Sequence, residues 1–251
     1  MRLIRFAFVA AVALLAGCAG MVRQPSQSVE DSPWALQSRV DPALQARWQH
    51  YRLPGKAPTR FDYVHKDGRE ALAVTAATSA SMVRKQVRVE PEHLGKLSFS
   101  WLVPDLIAEA DLALRDKADS PVRVILAFDG DRSRWSARNA MLSELAQTLT
   151  GEPMPYATLI YVWCNSRPAG EVINSPRTDR IRKLVVESGP QRTRRWLDYE
   201  RDIRSDYLRA FGEPPGALVG VAIMTDTDNT RSTARAWYGP VRLLPVAQPQ
   251  H

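Results

Sequence analysis

The stretch PVRVILAFD, Pro121–Asp129, is apolar along both faces of an extended chain. Side chains of a strand point alternately to opposite faces, so the apolar residues at 122, 124, 126 and 128 oppose Ile125 and Ala127. A strand without a polar face is typical of the buried centre of a sheet. Arg123 interrupts the Ile125 face, and a buried arginine requires a carboxylate partner or an anionic ligand.

Shorter runs on both sides of this stretch also have the pattern of strands. Asp67-Gly68 separates two of them, and this dipeptide between extended runs is a strong signal for a β-hairpin. Together with the central stretch, about nine strands are predicted. The other eight are Phe61–His65, Glu70–Thr75, Val83–Val89, Lys96–Val103, Ala157–Cys164, Ile181–Glu187, Ala217–Thr225 and Ala234–Leu244.

Two segments show the apolar spacing of a helix. Trp135–Leu149 carries a methionine and several leucines on one face and is expected to end at Gly151. Tyr199–Phe211 has similar spacing, with Asp198 as the expected N-cap and Gly212 as the end.

Strands outnumber helices, so the predicted fold is mainly β. We expect a two-sheet, jelly-roll-like sandwich of galactose-binding type with two inserted helices. The alternative is an α+β domain with one large antiparallel sheet. A single globular domain is predicted over residues 34–245, a length that allows one sizeable core, and residues 246–251 are predicted to be a frayed tail.

The N-terminus predicts a lipoprotein signal peptide over residues 1–17. Basic residues precede a short apolar run, and Leu15-Ala16-Gly17-Cys18 places small residues before a cysteine. The run is too short to span a bilayer, so we expect cleavage before Cys18 and lipidation of that cysteine. By resemblance to bacterial lipoproteins, Ala19 in place of aspartate favours the outer membrane. Residues 18–33 are predicted to form a flexible tether between the lipid and the domain.

The composition is basic. Loss of Arg2 and Arg5 with the signal peptide would leave 32 of the 34 Lys and Arg residues, against 27 Asp and Glu. This excess reflects either compositional drift or attraction to an anionic polymer of the cell envelope, such as a polysaccharide. Nucleic acid is not an expected partner in that compartment. Cys164, which ends an apolar run, is predicted to be a buried apolar side chain.

Several signatures of catalysis are missing from the sequence. It contains no Gly-x-Ser-x-Gly elbow, no phosphate-binding glycine loop and no His-Glu-x-x-His motif. The four histidines are scattered, and none has metal-ligand spacing with another. A histidine-dependent hydrolase or a zinc enzyme is therefore disfavoured, and no catalytic residue is assigned.

The densest polar cluster is TDTDNT, Thr225–Thr230. Its carboxylate and amide oxygens are of the kind that Ca²⁺ prefers, although the spacing is not that of an EF-hand. Three interpretations stay open: a turn in which Asp and Asn bond nearby backbone N–H groups, a polar ligand site, or a structural calcium site formed by Asp226 and Asp228. No other cofactor is expected.

Arg123 is the second candidate for ligand binding. Its partner within the fold is expected to be Asp129, Glu187 or Asp206, and the functional alternative is an acidic sugar or a phosphate. A ligand is expected where the acidic loop meets the central strand. The predicted ligand-binding residues are Asp119, Arg123, Asp226, Asp228 and Asn229.

Stretches in a fixed order cover the C-terminal two-thirds of the chain. The longest are Asp119–Asp129, Trp196–Gly212, Val221–Thr230 and Ala236–Gly239, and the shorter ones are Tyr161–Asn165 and Val186–Gly189. Together they resemble the bacterial family called domain of unknown function 3047. The resemblance brings no activity, substrate or catalytic residues. It implies that one pattern includes Asp119, Arg123, Asp206, Asp226, Asp228 and Asn229.

The leading hypothesis is a non-catalytic binding module for an envelope polysaccharide or another anionic glycan. Tryptophans of a sheet could stack on its sugars, although most such side chains belong to a core. The alternatives are a carboxylate-dependent glycan hydrolase or lyase, and a structural assembly lipoprotein. The tryptophans concerned are Trp101, Trp163, Trp196 and Trp237.

Overall fold

A computed structural model describes residues 28–41, 46–244 and 246. The helices are α1 Pro33–Gln37, α2 Ala137–Thr150 and α3 Ile203–Phe211, and one-turn 3-10 helices cover Val29–Asp31, Pro91–His93 and Arg132–Arg134. The strands are β1 Gln49–Arg52, β2 Arg60–Lys66, β3 Arg69–Ala77, β4 Ala80–Val89, β5 Lys96–Leu102, β6 Ser120–Phe128, β7 Ala157–Cys164, β8 Val172–Asn174, β9 Ile181–Ser188, β10 Trp196–Asp202, β11 Leu218–Asp226, β12 Thr233–Tyr238 and β13 Arg242–Leu244.

The strands form two sheets. The seven-stranded sheet has the order β1-β4-β11-β6-β7-β9-β8, and the second sheet has the order β10-β5-β12-β3-β2 with β13 beside β5. Paired strands run antiparallel except β7 and β9, which are parallel. The predicted two-sheet sandwich is therefore confirmed, and the alternative with one large sheet is wrong. Strand β6, which contains most of the Pro121–Asp129 stretch, lies at the centre of the larger sheet.

The main core fills the space between the sheets. The apolar residues at 122, 124, 126 and 128 of β6 are fully buried there, as their alternation predicts. Phe99 of β5 stacks on Tyr161 of β7 with ring centroids 5.6 Å apart, and this contact joins the two sheets. We call this face of the seven-stranded sheet its inner face, and the opposite one its outer face.

A smaller apolar cluster lies on the outer face. Ile160, Val162 and Cys164 of β7 pack there with Leu112 from the connection between β5 and β6. The buried apolar side chains of the central strands, and Cys164 as predicted, are divided between the two faces. Val124, Leu126, Phe128, Val221 and Ile223 lie between the sheets, whereas Ile160, Val162 and Cys164 lie on the outer side.

The folded part includes residues that precede position 34. Ser32, within the predicted tether, is buried and caps α1 by accepting the Ala35 N–H at 3.2 Å. Trp34 then packs against Trp48, with ring centroids 5.0 Å apart. The predicted signal peptide, Cys18 and residues 19–27 lie outside the described residues. No helix in the described part of the chain is long and apolar enough to cross a membrane.

Helix α2 is oriented with its apolar face outward. Met141, Leu145 and Leu149 are exposed by 61%, 53% and 60%, while Asn139 is buried. The Asn139 side chain donates to Asp179 and accepts from Thr178, both at 2.7 Å, so the helix docks through hydrogen bonds. Helical spacing correctly predicts the element, but the face that it buries depends on these distant partners.

Helix α3 starts later than the sequence predicts. Residues Trp196–Asp202 form β10, which pairs along its whole length with β5, and the helix begins at Ile203. The N-cap is Asp202, which accepts the Ser205 N–H at 2.8 Å. Asp198 as the cap is therefore wrong: it lies in mid-strand and pairs with Arg69. Strand pairing with β5 overrides the local helical spacing here, because tertiary contacts outweigh intrinsic helix propensity.

This cap predicts a specific loss of stability. Asp202→Ala should lower the free energy of unfolding by about 1 kcal/mol, because one N–H of the first turn loses its acceptor. Asp202→Asn keeps an acceptor oxygen and should stay near wild type. Urea titrations of both variants measure the difference. A larger loss of stability for Asp198→Ala than for Asp202→Ala would instead support Asp198 as the N-cap, as the sequence predicted.

Candidate functional site

An open cleft of about 860 Å³ lies over the outer face of the seven-stranded sheet. Its floor is the sheet itself, and its walls include Lys56 after β1, Ala146 and Thr150 of α2, and the segments Glu152–Pro155 and Ser175–Arg177. Small-molecule sites in proteins usually measure about 300–1,000 Å³. The cleft is therefore large enough for a ligand of several sugar units or of similar size.

The floor has a regular cross-strand pattern. Strand register places Arg84, Ala222, Ile125, Ile160 and Lys183 side by side on β4, β11, β6, β7 and β9. Adjacent strands lie about 4.8 Å apart, so this row extends for about 19 Å. Three apolar side chains thus lie between a cation at each end of the floor.

A register shift shapes the floor beside this row. The pairing of β11 with β6 is irregular between Met224 and Asp226. The Tyr238 hydroxyl, which reaches across from the second sheet, donates to the Met224 carbonyl at 2.6 Å and accepts the Arg123 N–H at 3.1 Å. Burial raises the pKa of Tyr238, so the hydroxyl stays neutral. The irregular backbone is satisfied in this way from the opposite sheet.

Arg123 and Asp226 form a buried ion pair at this shift. The Arg123 Nε lies 2.7 Å from Asp226 Oδ1, and its Nη2 lies 2.9 Å from Asp226 Oδ2. The same Nη2 donates to the Ala118 carbonyl, and Asp226 also accepts the Ser120 N–H at 3.1 Å. Burial raises the pKa of Asp226, and the guanidinium opposes that shift.

The intramolecular partners predicted for Arg123 are wrong. Register alone brings Asp226 next to it, from a position 103 residues away in the sequence. The three predicted carboxylates bind other basic residues: Asp129 lies 3.7 Å from Arg88, Glu187 lies 2.7 Å from Arg192, and Asp206 lies 2.5 Å from Arg201.

Asp119 organises the acidic loop. Its Oδ1 accepts the Asn229 side-chain amide at 2.7 Å and the Asn229 N–H at 3.3 Å. Its Oδ2 accepts the Thr230 N–H at 2.7 Å and the Thr230 hydroxyl at 2.6 Å. Asp119 is nearly fully buried, so these four donors stabilise its charge. Loop 225–230 is therefore fixed by a carboxylate from the start of β6.

The structure brings together all five residues predicted to bind a ligand. Asp119, Asp226 and Asp228 each have an oxygen within 4.8 Å of the others, a geometry that could hold a cation. All three carboxylates already have partners within the protein: Asp119 accepts four hydrogen bonds from Asn229 and Thr230, Asp226 pairs with Arg123, and Lys56 Nζ lies 2.5 Å from Asp228. A calcium ion would have to displace Lys56, the most exposed of these partners. Calcium binding at this cluster stays a prediction.

Lys183 is a site residue that the sequence did not suggest. Lys183 lies on the outer face of the sheet, beside Ile160, and is buried. Its ammonium donates to the Leu112 carbonyl at 2.5 Å. Burial, assisted by the positive charges of Arg123 and Arg177, lowers the pKa of Lys183 to about 7, while Asp226 and Asp111 oppose the shift. The sequence does contain a signal for it: Lys183 lies in a predicted strand beside Leu184, Val185 and Val186. A charged side chain at such a position needs a partner or a ligand, as Arg123 does.

The cleft has more positive than negative side chains. Among the described residues, eight Lys and Arg side chains line it, against three carboxylates, and each carboxylate is paired with one of the eight. Arg115, Arg132 and Arg177 form no ion pair with a carboxylate in the described part of the chain. The cleft therefore has positive charge that is available to an anion.

The predicted tryptophan platform does not lie in the cleft. Trp101 and Trp163 are buried in the core between the sheets. Trp196 and Trp237 belong to strands of the second sheet. Tyr51 is the aromatic side chain among the described lining residues, and the Arg84 guanidinium lies 3.8 Å from its ring centroid.

The ion pair predicts strong coupling between two substitutions. Arg123→Met should lower the free energy of unfolding by about 3–5 kcal/mol, because it leaves the Asp226 charge buried without its partner. The double variant Arg123→Met/Asp226→Leu should recover most of that loss, since an apolar pair carries no desolvation cost. Denaturant melts of the four proteins give the coupling energy. Additive losses would show that the two side chains do not depend on each other.

Comparisons with known proteins give a family and two distant structures. The family model described as "Protein of unknown function (DUF3047)" matches residues 46–242, and no curated protein matches the chain. The xyloglucanase domain of NopAA, a type three effector from Sinorhizobium fredii solved with cellobiose, is 10% identical over 80% of this chain and 94% of that chain, with a TM-score of 0.43. Endoglucanase 3 from family GH12 of Trichoderma harzianum is 9% identical over 81% and 96%, with a TM-score of 0.41.

The family match extends from β1 to the start of β13 and includes the residues of the ion pair and of the acidic loop. The stretches that resembled this family are therefore confirmed as part of it. The chain belongs to the DUF3047 family of proteins of unknown function.

Proposed function

We propose that this protein is a non-catalytic binding module that holds an anionic glycan of the cell envelope in the outer-face cleft. The supporting observation is the charge of the cleft, in which three arginines have no carboxylate partner among the described residues. Carboxylate, sulfate or phosphate groups on a glycan would pair with them. Arg123 and Lys183 lie at the floor, and loop 225–230 forms one edge through Asp228 and Asn229.

The paired carboxylates favour binding over hydrolysis. Glycoside hydrolysis usually needs two carboxyl groups about 5–10 Å apart on either side of the scissile bond. In the cleft, Glu152, Asp226 and Asp228 each accept a hydrogen bond from an arginine or a lysine at 2.5–2.7 Å. A carboxylate held in this way is a poor proton donor and a poor nucleophile. The enzyme alternative requires one of these pairs to open.

We also propose that the protein is an outer-membrane lipoprotein, anchored through Cys18 with its domain in the periplasm or on the cell surface. The basis is the signal-like N-terminus described above. Such an anchor would keep the cleft close to envelope polymers. An assembly protein without a small ligand is the remaining alternative, and it predicts no saturable glycan binding.

The cleft charge predicts selective glycan binding. On a glycan array, the full chain should bind glycans with uronate or phosphate groups and not their neutral counterparts. Arg177→Glu should weaken binding about tenfold or more, since hydrogen bonds to charged groups contribute about 1.5–3 kcal/mol. Arg235→Glu, which changes the same charge on β12 of the other sheet, is the matched control and should bind normally. Equal losses in both variants would contradict a site in the cleft.

The same binding should depend on pH through Lys183. With a pKa of about 7, this side chain is mostly charged at pH 6 and mostly neutral at pH 8. Anionic glycans should therefore bind more tightly at pH 6, and Lys183→Met should remove most of the difference. Calorimetric titrations at both pH values measure it. Tighter binding at pH 8 would exclude Lys183 from the site.

The anchor has a direct test. Cys18→Ser should move the protein from the membrane pellet to the soluble fraction of the cell envelope, because each buried CH₂ of the acyl chains contributes about 0.8 kcal/mol to anchoring. Fractionation followed by immunoblotting measures the distribution. Retention of the variant in salt-washed membranes would show that the lipid is not the anchor.

A further inference from the structure

The floor of the cleft is apolar, and its cations are at the ends and the rim. Between Arg84 and Lys183, the row on the outer face consists of Ala222, Ile125 and Ile160. The next row toward the C-terminal end of β6 has Gly220 and Ala127 side by side. Small residues at these positions keep the floor low, so the space above it is open to a ligand.

This floor cannot hydrogen-bond a sugar. The backbone groups of β11, β6 and β7 are used in the ladders on both sides of each strand, and the side chains of the row are hydrocarbon. A hydroxyl that loses water there without a new partner costs free energy. Tyr51, at the Arg84 end, is the one aromatic ring that the described lining offers for stacking. The floor thus favours an apolar part of a ligand, whereas the charged groups favour an anionic part.

The Lys183 end of the row has positive charge that no carboxylate neutralises. Arg123 and Arg177 lower the pKa of Lys183 through their positive charges, and Arg177 has no carboxylate partner among the described residues. At the opposite end, the Arg84 charge is paired with Glu152 at 2.5 Å. Lys183 is 5% exposed, and in the described part of the chain its ammonium has one acceptor, the Leu112 carbonyl, so it can donate further hydrogen bonds. An anionic group is therefore expected at the Lys183 end.

We infer that the ligand is an acylated anionic saccharide, with its hydrocarbon chain along the row from Ile160 to Ala222 and its acidic group near Lys183 and Arg177. This inference rests on the proposed binding of an anionic glycan and specifies the ligand class for the same cleft. The whole row from Lys183 to Arg84 is about 19 Å long, and its three apolar positions cover about 10 Å of that length. An extended alkyl chain of roughly a dozen carbons therefore reaches from an acidic group near Lys183 across all three apolar positions. Burial of that chain supplies the affinity that hydroxyl groups cannot gain on this floor.

Three probes separate the parts of this ligand. Dodecyl glucuronide carries the chain and the acid, methyl glucuronide carries the acid alone, and dodecyl glucoside carries the chain alone. Each is titrated calorimetrically, below its micelle concentration, into the full-length chain made without lipid modification. Each buried methylene should contribute about fourfold in affinity, so dodecyl glucuronide should bind at least 100-fold more tightly than methyl glucuronide. It should also bind at least tenfold more tightly than dodecyl glucoside.

A matched pair of substitutions locates the chain. Ala127→Phe fills the floor beside Ile125 and should weaken dodecyl glucuronide at least tenfold while leaving methyl glucuronide unchanged. Ala73→Phe makes the same change on β3 of the second sheet and should have no effect. Ile125→Thr, which removes apolar area without adding volume, repeats the test if Ala127→Phe lowers the melting temperature.

The outcomes distinguish this inference from the proposed function. Equal binding of dodecyl and methyl glucuronide would overturn the acyl site and leave the anionic glycan site standing. Equal binding of dodecyl glucuronide and dodecyl glucoside would overturn both, since no acid would be recognised. An equal loss in Ala127→Phe and Ala73→Phe would place the chain outside the cleft and also overturn the inference.

Discussion

The buried ion pair between Arg123 and Asp226 is the constraint on which the site depends. Each charge costs several kcal/mol to remove from water, so the fold must supply every hydrogen bond that the pair needs. The carbonyl of Ala118 and the N–H of Ser120 supply them from the chain that enters β6. The pair thus fixes how β6 begins and how β11 ends.

This requirement explains the local irregularity of the sheet. The register shift between β11 and β6 leaves backbone groups that a regular ladder would have used, and Tyr238 satisfies two of them from the opposite sheet. Asp119, just before β6, then holds the Asn229–Thr230 turn through four hydrogen bonds. Charge burial, sheet register and loop position are therefore parts of one arrangement.

The same arrangement sets the chemistry of the cleft. Because its carboxylates are committed to Arg123, Lys56 and Arg84, the charge that is left for a ligand is positive. Because β6 is apolar on both faces, the cleft floor is hydrocarbon although it is open to solvent. An apolar floor with an unneutralised positive charge at its Lys183 end favours an amphiphilic anion over a neutral polymer, which would leave its hydroxyl groups without partners.

The sequence by itself determined most of the strands, the buried character of β6 and the sandwich, because alternation of side chains is a local property of the chain. It also marked Asp119, Arg123 and loop 225–230 as polar groups that needed partners. Only the tertiary structure decided which partners they have: Asp226 pairs with Arg123 through a register that no local pattern encodes. The start of α3, the outward face of α2, the burial of Trp101 and Trp163 and the place of Lys183 were decided in the same way. Each depends on contacts between segments distant in sequence, where pairing and burial outweigh local propensity.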